Sequence, residues 1–231
     1  MPPDRLLRIL SLLASDNGSE VPRLCDVAAE VTAVSGAGVM LLSDGLPQAS
    51  LCSTDEIASR IEEAQYTLGE GPCVDAHRLG KVVAEPDLGA VGSRWAEFSR
   101  QALGAGARAV FGYPIRLGVA RLGALNLYRD QPGPLSDDQH ADALVVADVA
   151  ARAILADQAA ASDRGLGVGI QGDLNMWGVV HQAAGMVSVQ LDISVADALM
   201  CLRAHAFRND RSVAAVARDV VERRLQLRAE E

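Results

Sequence analysis

The strongest constraint on the fold is a change in apolar patterning across a glycine-rich stretch at residues 162–172, SDRGLGVGIQG. Upstream of it, short continuous apolar runs of strand length are interspersed with helical spacings. Downstream, the apolar residues recur with a period close to 3.6. Such a chain divides into a mixed part at 1–161 and an all-helical part at 173–231. The stretch between them, with four glycines and few apolar anchors, reads as a flexible joint.

In the first part, residues 4–14 place Leu6, Leu7, Ile9, Leu10 and Leu13 at helical spacing behind Asp4. Pro22 opens a second helix with the face Leu24, Val27, Ala28, Val31. The apolar run 37–42, the turn Ser43-Asp44-Gly45 and the run 49–52 predict a β-hairpin. A connecting helix is predicted over 54–64, with Thr54 as N-cap and Ile57 and Ile61 one turn apart. Gly69 and Gly71 permit positive φ before a short helix at Pro72, and extended structure resumes over 81–84. A helix over 93–105 is centred on Trp95, Phe98 and Leu103 and precedes a second hairpin, 109–117 with 122–128. A long helix over 136–161 carries Asp137 and Asp138 in its first turn. Strand and helix do not alternate repeatedly, so the fold class is α+β around an antiparallel sheet flanked by helices.

The second part predicts three helices. The first carries Trp177, Val180, Ala184 and Val187 on one stripe. Ser194, with Asp197 three residues on, starts the second, which buries Val195, Ala198, Leu199, Leu202 and Ala206. Ser212 starts the third, where Val213, Val216, Ala217, Val220 and Val221 share a face. Together they make a small all-α three-helix bundle.

A hydrophobic content of 49% with 22% charge describes a packed globular chain. The net charge of −9 disfavours indiscriminate coating of nucleic acid or anionic membrane. Basic charge is concentrated at 203–228, where arginines at 203, 208, 211, 218, 223, 224 and 228 face only Asp210, Asp219 and Glu222. Cys25, Cys52, Cys73 and Cys201 form no C-x-x-C pair and have no histidine at ligand spacing, so they read as small buried hydrophobes, with redox sensing by one of them as the alternative and no metal site. Arg8 and Ser11 interrupt the first apolar segment, no signal peptide follows, and no apolar run spans a membrane, so a cytoplasmic location is expected. No G-x-S-x-G, P-loop, H-E-x-x-H or dinucleotide fingerprint is present, so no enzymatic role and no catalytic residue are expected.

The segments GEGPCVDA (69–76), VVAEPDL (82–88), RWAEF (94–98) and GARAVFGYPIRLGVARLGALNLY (106–128) resemble, in order and spacing, the GAF domains of actinobacterial sensory regulators. That resemblance covers about 23–157 and implies an antiparallel sheet that binds a small molecule on one face, together with a tendency to dimerise through flanking helices. No cofactor is evident and the ligand is unidentified; His77 and His140 read as structural or surface residues. Residues 179–221 resemble the ANTAR domain, the RNA-binding output module of transcription antitermination regulators, through Gln182-Ala183, Gly185-Met186, Leu202-Arg203, Ala206 and Val216-Ala217. Ala184 stands where many members carry lysine, which removes one candidate phosphate contact.

Arginine suits structured RNA because its planar fork pairs with phosphate and stacks on unpaired bases. Arg203 flanks the buried stripe of the second helix, and Arg208 and Arg211 sit at the turn into the third, beside a helix N-terminus suited to phosphate. With Gln182, Ala184 and Gly185 they form the expected RNA-binding set. Gly185 inside a helix costs about 1 kcal/mol relative to alanine, and close approach of another backbone, that of the neighbouring helix ahead of that of RNA, would account for it. The expected function is therefore a signal-responsive antiterminator that binds paired RNA hairpins as a homodimer. The alternatives are a DNA-binding regulator and a protein-interaction module.

Overall fold

Five strands form one antiparallel sheet in the order β2-β1-β5-β4-β3: β1 (Gly36–Ser43), β2 (Leu46–Ser53), β3 (Val83–Glu85), β4 (Ala109–Leu117) and β5 (Ala120–Arg129). In this computed structural model the described residues are 3–14, 23–43, 46–90, 94–163 and 174–227. The helices of the N-terminal part are α1 (Pro3–Leu13), α2 (Leu24–Thr32), α3 (Glu56–Leu68), α4 (Pro72–Leu79), α5 (Ala96–Ala105) and α6 (Asp137–Asp163). Three more follow: α7 (Leu174–Leu191), α8 (Val195–Arg208) and α9 (Val213–Val221). The chain separates into two compact units, Met1–Gly172 and Asp173–Glu231. The joint expected at 162–172 falls mostly outside the described residues, as do Asp44 and Gly45 of the first hairpin turn.

Strand periodicity sorts the sheet into two unlike faces. Ala37 and Val39 of β1, Phe111, Tyr113 and Ile115 of β4, and Leu125 and Leu127 of β5 join one apolar core with residues of α1, α2 and α6, including Ile9, Leu24, Val146 and Ile154. The opposite face carries Gly36, Gly38 and Met40 of β1, Val110 and Gly112 of β4, and Ala124, Asn126 and Tyr128 of β5. It packs against α3, α4 and α5 through Ile61, Val74, Phe98 and Trp95. The first face is uniformly apolar. The second is interrupted at its centre by glycines and an asparagine.

Helix α3 starts one residue later than expected and runs four residues further. Asp55, not Thr54, is its N-cap: Oδ1 accepts from Ala58 N at 2.8 Å, while the Thr54 hydroxyl is occupied with the backbone of Ala37. Asp55 Oδ2 also accepts from the Tyr128 hydroxyl at 2.9 Å, which ties the helix start to β5. Asp55→Ala is expected to cost about 1–2 kcal/mol, since it removes the cap and leaves a buried phenol without its acceptor. Asp55→Asn should recover most of that loss; equal denaturant midpoints for the two variants would show that the cap contributes nothing.

The cysteines differ from expectation. Cys25 of α2 and Cys52 of β2 form a disulfide with Cα atoms 6.0 Å apart, and only Cys73 and Cys201 are free thiols. Their separation of 27 residues matches no short-range spacing rule; the pair is made by tertiary packing of α2 beside the edge strand. At the other edge of the same helical layer, Asp142 of α6, 5% exposed, accepts from Arg5 at 2.5 Å and from Arg8 at 2.7 Å, fastening α1 to α6.

In the C-terminal unit both expected serine caps are present. The Ser194 hydroxyl accepts from Asp197 N and that of Ser212 from Ala215 N, each at 3.1 Å. Val180, Ala183, Ala184, Val187, Leu199, Leu202, Val216 and Val220 are buried, so the three helices share one core. Val195, expected inside, is 53% exposed.

Candidate functional site

On α3, Ala58, Ile61, Glu62 and Gln65 fall at offsets 0, 3, 4 and 7, a single stripe that faces the second side of the sheet. Two of the four are polar, and both are enclosed: Glu62 is 1% exposed and Gln65 0%. The Glu62 carboxyl lies directly over Gly38, where a Cβ would collide with Oε1. Its Oε2 accepts from the Ser50 hydroxyl at 2.5 Å. Burial raises its pKa to about 8, with the Ser50 hydrogen bond acting in the opposite direction. The carboxyl is therefore mostly protonated at neutral pH.

The sheet fixes what lies beside it. Asn126 pairs with Gly38 on one side and with Gly112 on the other, so these three positions form one row across the strands and point the same way. The backbone of Pro72 and Cys73, at the start of α4, sits over Gly112 so closely that a Cβ there would strike the Pro72 carbonyl. Gln65 bridges the row from above, since its Oε1 accepts from Cys73 N at 2.7 Å. The Cys73 thiol is buried beside Gln65 and Glu62, and burial pushes its pKa well up. Asn126 thus lies between the Glu62 carboxyl and the Gln65-anchored start of α4.

Four polar atoms of this cluster have no hydrogen-bond partner among the described residues: Glu62 Oε1, Gln65 Nε2, Asn126 Oδ1 and Asn126 Nδ2. Buried polar groups are ordinarily paired, and each unpaired one costs roughly 1–3 kcal/mol. They converge on one row of the sheet, under α3 and α4. Nothing in the sequence analysis singled out Glu62, Gln65 or Asn126. His140, by contrast, is tied to the Tyr113 hydroxyl at 2.9 Å, and His77 is buried on α4.

The expected RNA-binding residues occupy different environments in the C-terminal unit. Gln182 and Gly185 of α7 line one groove of about 570 Å³, together with Met186, Val189, Val220 and Arg223. Ala184 is 0% exposed and packs in the core of the unit. Arg203 is only 8% exposed on α8. Arg208 is exposed at the end of α8; Arg211, in the turn before α9, is paired with Asp219 at 2.6 Å. The explanation of Gly185 by close helix packing is corrected, because a Cβ at that position would meet nothing within 4 Å. The space beside Gly185 is open groove.

An antiparallel sheet in the order 2-1-5-4-3, with helices on both faces and an enclosed polar row under α3 and α4, defines a GAF-like class of α+β domain. The GAF domain family model matches residues 19–154, more than half of the chain, and the chain belongs to the GAF family. Solved structures agree on the fold. A domain assigned to a two-component sensor histidine kinase protein from Sinorhizobium meliloti 1021 superimposes with a TM-score of 0.51 at 18% identity, over 64% of this chain and 99% of that one. The GAF domain of a phosphoenolpyruvate-protein phosphotransferase from Acinetobacter gives 0.50 at 14% identity, over 69% and 96%. That of the phosphoenolpyruvate-protein phosphotransferase of Coxiella burnetii gives 0.50 at 14%, over 70% and 95%. No curated protein matches the chain by sequence. Among the described residues no single helix is long and apolar enough to cross a membrane.

Proposed function

We propose that the chain is a non-enzymatic, cytoplasmic, signal-responsive regulator: the GAF unit binds a small molecule on the Glu62 face, and the C-terminal unit, an ANTAR-like domain, binds paired RNA hairpins and stabilises an antiterminator. The observation that carries this reading is the second unit itself, a separate three-helix core with its arginines and an open groove at Gln182 and Gly185. An exposed Arg208, and Arg211 beside the capped start of α9, give a phosphate-binding edge. Homodimerisation through α1 and α6 is supported by Leu7, Leu10 and Leu144, which are 64%, 40% and 45% exposed on those helices.

A gel-shift titration against RNA bearing two short adjacent hairpins, with duplex DNA as competitor, tests the reading. Arg208→Ala is the informative variant, expected to weaken RNA binding roughly tenfold without unfolding, a loss of about 1.4 kcal/mol. Arg203→Ala removes a largely buried side chain as well as a charge, so its melting curve has to be compared first. Gly185→Ala separates stability from function: it should stabilise the unit by up to about 1 kcal/mol, because alanine is the better helix former and the space is open. If RNA approaches the groove, the same variant loses affinity. Unchanged affinity would move the RNA away from α7.

One feature favours a protein-contact module instead. Met200 and Phe207 of α8 are each 58% exposed, alongside exposed Ala204. A folded protein that retains neither hairpin RNA nor DNA would support that reading.

A further inference from the structure

We infer that the GAF face takes a compact ligand bearing a protonated nitrogen, an ammonium or amidinium, seated against Glu62 Oε1 and Asn126 Oδ1, with an oxygen acceptor of the ligand read by Gln65 Nε2 and Asn126 Nδ2. This rests on the proposal that the GAF unit is a small-molecule sensor and adds the chemistry it recognises. With Glu62 ionised, the four unpartnered atoms divide into two acceptors and two amide donors. Glu62 lies over Gly38, so the acceptor side is toward β1. Gln65 is held by Cys73 N over Gly112, so the donor side is toward β4. Asn126, between the two, contributes one atom to each.

Charge decides the ligand's nitrogen end. Glu62 has no cationic partner among the described residues; its one hydrogen bond is from Ser50, and the ionisable neighbour that senses it is the Cys73 thiol, itself held protonated by burial. A buried carboxyl without a cation keeps its proton, whereas a cation against Oε1 restores the carboxylate and compensates its desolvation. Docking a cation therefore displaces the Glu62 proton to solvent. Size follows from the packing. Glu62, Gln65 and Asn126 are all but fully enclosed, so only a polar group of a few heavy atoms can be admitted, and only as the Glu62 side chain swings aside.

Acetamidinium and acetamide are close isosteres that differ in charge, and they are the probes. With the intact protein near neutral pH, millimolar acetamidinium is expected to raise the melting temperature and to release close to one proton per molecule bound, measured by calorimetry in two buffers of different ionisation enthalpy. Acetamide should do neither, and Glu62→Gln should abolish the proton release. Equal stabilisation by acetamide, or binding without proton release, would overturn the inference. A dialysable small-molecule extract, split on a cation exchanger, separates this failure from failure of the sensor reading. If only the unretained neutral and anionic fraction stabilises the protein, the cationic assignment falls and the sensor stands. If neither fraction nor either probe acts on the folded protein, both fall.

Discussion

Raising the pH from about 5 to about 8 is expected to destabilise the GAF unit, and Glu62→Gln is expected to remove that loss. A glutamate ionises at about 4.5 in the unfolded chain, whereas burial raises Glu62 to about 8 in the folded one. Between those values the native state holds one more proton than the unfolded state. Stability therefore falls as pH rises through the window, by at most about 1.4 kcal/mol per pH unit, and levels off above it. From pH 5 to pH 8 the loss from this group is about 4 kcal/mol, a large fraction of the stability of an ordinary domain. Glutamine keeps the shape and still accepts from Ser50, but cannot ionise. Other groups titrate in the same range, so the informative quantity is the wild-type minus Glu62→Gln difference in unfolding free energy across pH. A difference that stays flat from pH 5 to pH 8 would mean that water reaches the carboxyl.

Reduction of the Cys25–Cys52 bond should have an effect of similar size. A bond that closes a loop over a separation of 27 residues restricts the unfolded chain and stabilises the fold by about 3 kcal/mol in the loop-entropy account. For a domain of this size that is a fall of roughly 10 °C in melting temperature on adding a dithiol reductant. Cys52→Ala without reductant should melt close to the reduced wild type, and adding reductant to the variant should change nothing further. Thiol titration of the denatured protein checks the pairing directly, with two reactive thiols before reduction and four after. Four thiols at the outset would show that the pair is open in the sample, as a reducing compartment would make it.

Local signals in the sequence carried much of the fold. The serine caps of α8 and α9 and the paired runs of β4 and β5 depend on residues within a few positions of one another, and they stand where the residue types place them. The N-cap of α3 missed by one residue because Thr54 and Asp55 are both good caps. Which of them serves is decided by the Ala37 backbone, which engages the threonine hydroxyl. The polar row under α3 was less legible for a different reason. Glu62 and Gln65 share the helical stripe of Ala58 and Ile61, so the period pointed inward, but their polarity pointed outward. Only the opposite wall, with glycines either side of Asn126, shows that the period prevails. The disulfide joins elements whose proximity is tertiary, and no spacing rule reaches it. The glycine at 185 looked like a packing contact from its helical cost alone, whereas the structure leaves that side open.

The two helices that roof the polar row differ in mechanical character. At Gly112 main chain rests on main chain, with no side chain between the start of α4 and the sheet to yield. At Gly38 the spacer is the Glu62 side chain, with three rotatable bonds between Cα and its carboxyl. One side of the row is masonry and the other is hung on a flexible arm. Whatever enters beside Asn126 can be accommodated only by rotation of that arm and displacement of α3, whose first turn is anchored to β5 through Asp55 and Tyr128. Any movement of that arm would therefore be registered first as tension along the α3 to β5 tether.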